Sequence, residues 1–155
     1  DAKIARFASQ PEWAFAVADL TAAYAEHTRS VRRGVALADR RHVLIQDEIE
    51  AEAPVDLWWF MHTPASVALD ADGRAATLEQ GGAKLRARVL APAEARFEVR
   101  PAEPLSTSPN PEVNVRKLAI HLPKTSALRL TVVLTPVDEQ TDTAWAPDVK
   151  PLADW

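Results

Sequence analysis

VRRGVALADRRHVLIQDEI, residues 31–49, is the stretch on which the fold turns. Val31, Val35 and Leu37 fall on every second position, and Val43, Ile45 and Ile49 do so again after a polar break. A period of two is that of a half-buried strand, so the stretch reads as a hairpin with one apolar face. A three-residue connection, Asp39-Arg40-Arg41, sets Val31 opposite Ile49, Val35 opposite Ile45 and Leu37 opposite Val43. The same register sets Arg33 opposite Asp47, two charges inside the apolar face. The structural reading is an ion pair that pins the register, because a slip of one residue would leave both charges buried and alone. The functional reading is a clamp for a sugar carboxylate, a group that guanidinium grips in a fork.

Outward from this hairpin the chain continues in short β-type runs. Candidate strands are 30–38, 42–51, 55–62, 66–70, 74–79, 83–90, 94–100, 115–122 and 127–135. Asp72-Gly73 and Gly81-Gly82 are tight-turn dipeptides between runs, and Pro54, Pro64 and Pro92 punctuate others. Strands of this length with regular turn signals predict an all-β protein, an antiparallel sandwich of roughly nine to ten strands over residues 1–137. PLSTSPNPE, residues 104–112, reads as a long loop. Residues 138–155 lack periodicity and form an irregular tail, expected to wrap over the body through Trp145 and Trp155 or to serve as a linker. The start has two readings. Trp13, Ala16, Val17, Leu20, Tyr24 and His27 make a helical stripe behind Pro11, while alternating Trp13, Phe15 and Val17 make a strand at 13–18 with a short helical turn near 20–25.

Composition narrows the classes. The 155 residues suffice for one domain with a core, and a formal net charge of −4 argues against non-specific nucleic-acid binding, which needs a basic surface. The absence of cysteine excludes disulfides, thiolate metal sites and cysteine nucleophiles. No apolar run approaches the roughly 20 residues of a membrane helix. The chain opens on Asp1 rather than Met and is read as a mature or excised piece of something longer.

The residues that could carry chemistry are scattered. His27, His42, His62 and His121 show no metal-ligand spacing, so no metal is expected in this chain. Trp58 and Trp59 are adjacent on a strand and face opposite ways. One should fill the core, and the other is a candidate to stack on a sugar or to meet a neighbouring domain. Paired carboxylates could serve a glycosidase, but Glu48, Glu50 and Glu52 share the presumed polar face, the usual solvated edge. No nucleophile elbow or phosphate-binding glycine loop is present, and no catalytic residue is assigned.

The order VADLTAAY (17–24), RRGVALADRRHVLIQDEIE (32–50) and DLWWFMHT (56–63) resembles the C-terminal part of the sandwich region of heparinase II/III-like polysaccharide lyases. The likeness runs more loosely through DADGRAATLEQGG to RLTVVLTP (129–136), about residues 4 to 137 in all. The resemblance implies an upstream α/α toroid and an acidic polysaccharide substrate, of the glycosaminoglycan or alginate kind, cut by β-elimination. It also implies a periplasmic or extracellular location. The family's catalytic tyrosine and its H-x-H and H-N-T motifs would precede this segment, and any zinc would belong to that upstream part. Asp19, Tyr24, Arg33, Asp47 and His62 match framework positions without carrying a role.

Overall fold

A computed structural model describes residues 2–102 and 114–155; the loop expected at 104–112 lies outside the described residues. The described chain is almost wholly β-structure, in one antiparallel arrangement of nine strands. They are β1 (Lys3–Ser9), β2 (Trp13–Asp19), β3 (Ser30–Ala38), β4 (His42–Thr63), β5 (Ser66–Leu69), β6 (Ala75–Gln80), β7 (Ala83–Ala91), β8 (Phe97–Pro101) and β9 (Arg116–Pro136). Their order is β1-β2-β3-β4-β9-β7-β6-β5, with β8 on the far part of β9.

The two long strands make the sandwich. Val43 to Glu50 of β4 pair with Ala127 to Leu134 of β9, and after an irregular stretch Leu57 to Thr63 pair with Arg116 to Leu122. The break coincides with Pro54, which offers no backbone donor, and with Lys124 at a φ of +55°. Beyond it both strands fold back with β8 as a second, shorter layer. Trp59, Phe97, Leu118, Ile120 and Leu122 of that layer share one core with Leu78, Val89, Leu130 and Val132 of the main sheet. The runs 42–51 and 55–62, and likewise 115–122 and 127–135, are therefore halves of single bent strands. Periodicity stops where a strand bends, so each half reads as a separate element. The run expected at 94–100 begins only at Phe97, and β1 is a strand that the sequence did not signal.

Near the start the strand reading prevails: β2 spans Trp13–Asp19 and a 3-10 turn follows at Thr21–Ala23. The Asp19 carboxylate accepts from the Thr21 backbone N–H at 3.0 Å, and that bond holds its pKa below the ordinary carboxylate value. The glycine dipeptides sit at hairpin tips, Gly81 and Gly82 both at positive φ between β6 and β7.

The hairpin register is Val31 opposite Ile49, Arg33 opposite Asp47, Val35 opposite Ile45 and Leu37 opposite Val43. The expected burial needs correction. Val31 is buried, but Val35 and Leu37 are 43% and 37% exposed, whereas Ala36, Ala38, Leu44 and Gln46 on the opposite face are buried. The tail covers that opposite face. Trp155 meets the edges of Trp13 and Phe15 at 5.6 and 6.1 Å, and Trp145 stacks on His42 at 4.1 Å. Gln46 donates to the Lys150 carbonyl at 2.7 Å, and Arg6 holds the carbonyls of Leu152, Ala153 and Trp155. Glu48 is likewise no solvated edge: its Oε1 accepts from Arg129 Nε at 2.9 Å and from the Leu152 backbone at 3.0 Å.

A candidate cavity beside the Arg33–Asp47 pair

Where β4 turns into the second layer, the two layers part and leave a cavity of about 610 Å3. Its walls are mostly apolar: Leu20, Val31, Ile49, Val55, Leu57 and Leu130 line it with Trp59. Arg33, Asp47 and Asp56, together with Tyr24 and His27 of the loop after the 3-10 turn, bring polar groups to it. An apolar concavity of this size with few polar groups is the usual form of a ligand site.

Arg33 Nε donates to Asp47 Oδ1 at 2.7 Å and Nη2 to Oδ2 at 2.8 Å, a two-pronged pair. The side chain of Asp47 is 7% exposed, that of Arg33 42%. The layer is therefore not dry on the arginine side. The hydrogen bonds to Asp47 hold the guanidinium's pKa above its ordinary value. Geometry of this kind serves register, and it leaves a cationic edge turned toward solvent.

The outer face of the second layer carries a second cluster, which shares Asp56 and Trp58 with the cavity lining. Trp59 points inward and is 4% exposed, so it belongs to the core and offers no surface to a sugar. Trp58 points outward and stacks on His121 at 4.0 Å with the rings nearly parallel. Arg100 lies over the Trp58 ring at 5.0 Å, and Lys117 over the exposed Phe60 ring at 5.1 Å. Asp56 Oδ1 lies 2.5 Å from His121 Nε2 and accepts from Trp58 Nε1 through Oδ2 at 3.2 Å. The bond with His121 holds the Asp56 pKa below the ordinary carboxylate value. Asp56 and Trp58 are a strand-face pair that the sequence displays, but His121 joins them from 65 residues away, across a pairing that no local pattern announces.

The histidines do not converge. His42 is buried against Thr135 and Trp145, His121 serves Trp58, and His27 and His62 are exposed. Among the described residues no three His, Cys, Asp or Glu side chains form a group that could hold a metal ion. Among the described residues no helix is long and apolar enough to cross a membrane.

No family model matches the sequence, and no curated protein matches it either. Solved structures do match the fold. Heparan sulfate lyase HepC from Pedobacter heparinus superimposes with a TM-score of 0.74 at 12% identity, covering 91% of this chain and 22% of that one. A heparinase III gene product gives 0.72 at 15% identity, covering 88% and 22%. A further heparinase III structure gives 0.70 at 16% identity, covering 92% and 22%. The chain thus has the all-β sandwich fold found in part of heparinase III, and it spans about a fifth of those chains' length.

Proposed function

We propose that this chain is the sandwich portion of a secreted polysaccharide lyase that cleaves uronic-acid-containing chains by β-elimination, and that it supplies framework rather than reacting groups. The observation that carries the reading is the superposition of about nine-tenths of this chain on about a fifth of the heparan sulfate lyase. An upstream domain, of the toroidal kind, would hold the glycan and the catalytic tyrosine. Eliminating a sugar beside a carboxylate requires a base, a charge neutraliser and an acid held around one carbon. Several side chains here that could serve are committed to one another: Arg33 to Asp47, His121 to Asp56, His42 to Thr135. That commitment supports a framework role.

The test is absorbance of unsaturated uronate during incubation with heparan sulfate and with alginate. The isolated chain should produce none, and the product of the complete gene should produce it on one of the two. Turnover by the isolated chain, or none by the complete product, refutes the proposal.

The aromatic and cationic face around Trp58 favours a second reading, a module that binds acidic glycans. Stacked rings flanked by Arg100 and Lys117 suit a sugar ring bearing carboxylate or sulfate. Titration with heparin and alginate oligosaccharides separates the two. Binding weakened by Trp58→Ala supports the second reading, and absence of binding removes it.

A further inference from the structure

Beyond the bend, β4, β9 and β8 present one outward face whose fixed charges cancel. Inward Trp59, Ile120 and Phe97 set the alternation. Asp56, Trp58, Phe60 and His62 of β4 therefore point out, with Lys117, Ala119 and His121 of β9 and Glu98 and Arg100 of β8. Among these described residues Lys117 and Arg100 are positive, Asp56 and Glu98 negative. Glu98 is tied to Arg100 at 2.9 Å, and Asp56 to His121. With both imidazoles neutral the face has no net charge, and an acidic sugar gains nothing there over a neutral one. His62 and His121 are of the side-chain type that gains a proton between pH 8 and pH 5, and no other outward group is.

Register decides where those protons act. His62 pairs with Lys117, and Lys117 with Arg100, so the three stand in one row across three strands. Adjacent strands are about 4.8 Å apart, and like charges directly opposite repel. A proton on His62 completes a row of three cations, and an acid group lying over the row relieves the repulsion. The neighbouring rows hold the rings, Phe60 beside Ala119 and then Trp58 beside His121. His121 Nε2 lies 2.5 Å from the Asp56 carboxylate, which can only accept, so Nε2 carries the hydrogen and Nδ1 is left for a second proton. Charging His121 therefore keeps both its bond to Asp56 and its stack on Trp58.

We infer that this face is a pH-gated surface for acidic glycans, gripping them when His62 and His121 are protonated and releasing them when both are neutral. The acid group, carboxylate or sulfate, lies over the row of His62, Lys117 and Arg100. The sugar ring lies against exposed Phe60, which Trp58 backs at 5.6 Å. The inference rests on this face being a glycan surface and adds what switches it. An exposed ion pair changes affinity by up to about fivefold, so two added charges should tighten binding roughly tenfold. Linkage is reciprocal, so a ligand that prefers the protonated face draws protons onto it as it binds.

The test is calorimetric titration of the 155-residue chain with a heparin hexasaccharide at pH 5.5 and pH 8.0, with dextran of the same length as the uncharged probe. Expected are about tenfold tighter heparin binding at pH 5.5 and no such gain for dextran. Net proton uptake on binding heparin at pH 7 is also expected, read from buffers of different ionisation heat. His62→Gln and His121→Gln should each reduce the ratio between the two pH values, and together bring it close to one. Equal heparin affinity at both pH values, an equal gain for dextran, or binding without proton uptake overturns the inference and leaves the glycan surface standing. A ratio that survives in the double variant overturns it too, by assigning the effect to charges elsewhere. Absence of heparin binding at both pH values removes the glycan surface and the gate together. Proton uptake is read on the unaltered chain near neutrality, so a variant that fails to fold leaves the test decisive.

Discussion

Arg33 and Asp47 show how one pair can fix a register while resisting easy valuation. Asp47 is buried and takes both of its bonds from Arg33, so removing the arginine strands a carboxylate. A fully buried pair broken this way costs about 3–5 kcal/mol, but Arg33 is half in solvent and screening lowers the figure to about 1–3 kcal/mol. Arg33→Ala should lower unfolding stability by that amount, measured by urea denaturation. Arg33→Met combined with Asp47→Leu should cost less than Arg33→Ala alone; equal or greater cost would show that the pair is not what the site depends on. His42 gives a pH dependence. Burial against Trp145 and Thr135 lowers its pKa from the ordinary value of about 6.5. Above that value both states are neutral and nothing is lost. As pH falls below it, the unfolded chain takes up the proton first, so stability declines until the lowered folded-state pKa is passed. Each unit of lowering is worth about 1.4 kcal/mol. Urea midpoints should therefore drop between pH 7 and pH 5, and His42→Gln should flatten the drop; an unchanged slope would absolve His42.

The elements depend on close approach as much as on pairing. Gly34 lies in β3 beneath the tail, where an added Cβ would sit 2.3 Å from Leu152 Cδ2 and 2.8 Å from the Trp155 ring. Neither distance is tolerable, so in Gly34→Ala the Leu152 and Trp155 side chains must shift and the tail's hold on the sheet weakens. Overpacking of this kind costs about 1–3 kcal/mol. The expected signature is a lower thermal midpoint together with proteolytic nicking after Trp145. A variant as resistant as the parent would mean that the tail accommodates the methyl by sliding. The bend in β4 and β9 is an element-scale feature too. Pro54 and Lys124 end one pairing and aim the chain into the next layer, which is what creates the cavity at Arg33.

For the molecule as a whole, the last eighteen residues act as the outer cover of the sheet. Their removal would uncover Ala36, Leu44, Val133, Trp13 and Phe15, and would deprive buried Gln46 of the Lys150 carbonyl and Glu48 of the Leu152 N–H. Stability of a domain this size is about 5–15 kcal/mol, and a loss on that scale consumes much of it. A chain ending at Val137 should lose near-ultraviolet circular dichroism and aggregate at room temperature; a cooperative unfolding transition like that of the full chain would show the tail to be dispensable. The hairpin register, the strand positions from β3 to β7 and the inward–outward split of Trp58 and Trp59 were legible in the sequence, because each depends on period-two alternation and on turn residues within about twenty positions. Tertiary structure alone decided which face of β3 is covered, that neighbouring runs are one bent strand, that Glu48 is engaged, that His121 meets Asp56 and Trp58, and that a cavity opens beside Arg33. Those outcomes depend on segments far apart in the chain meeting in space, and alternation along one strand says which side chains share a face without saying what lies above it.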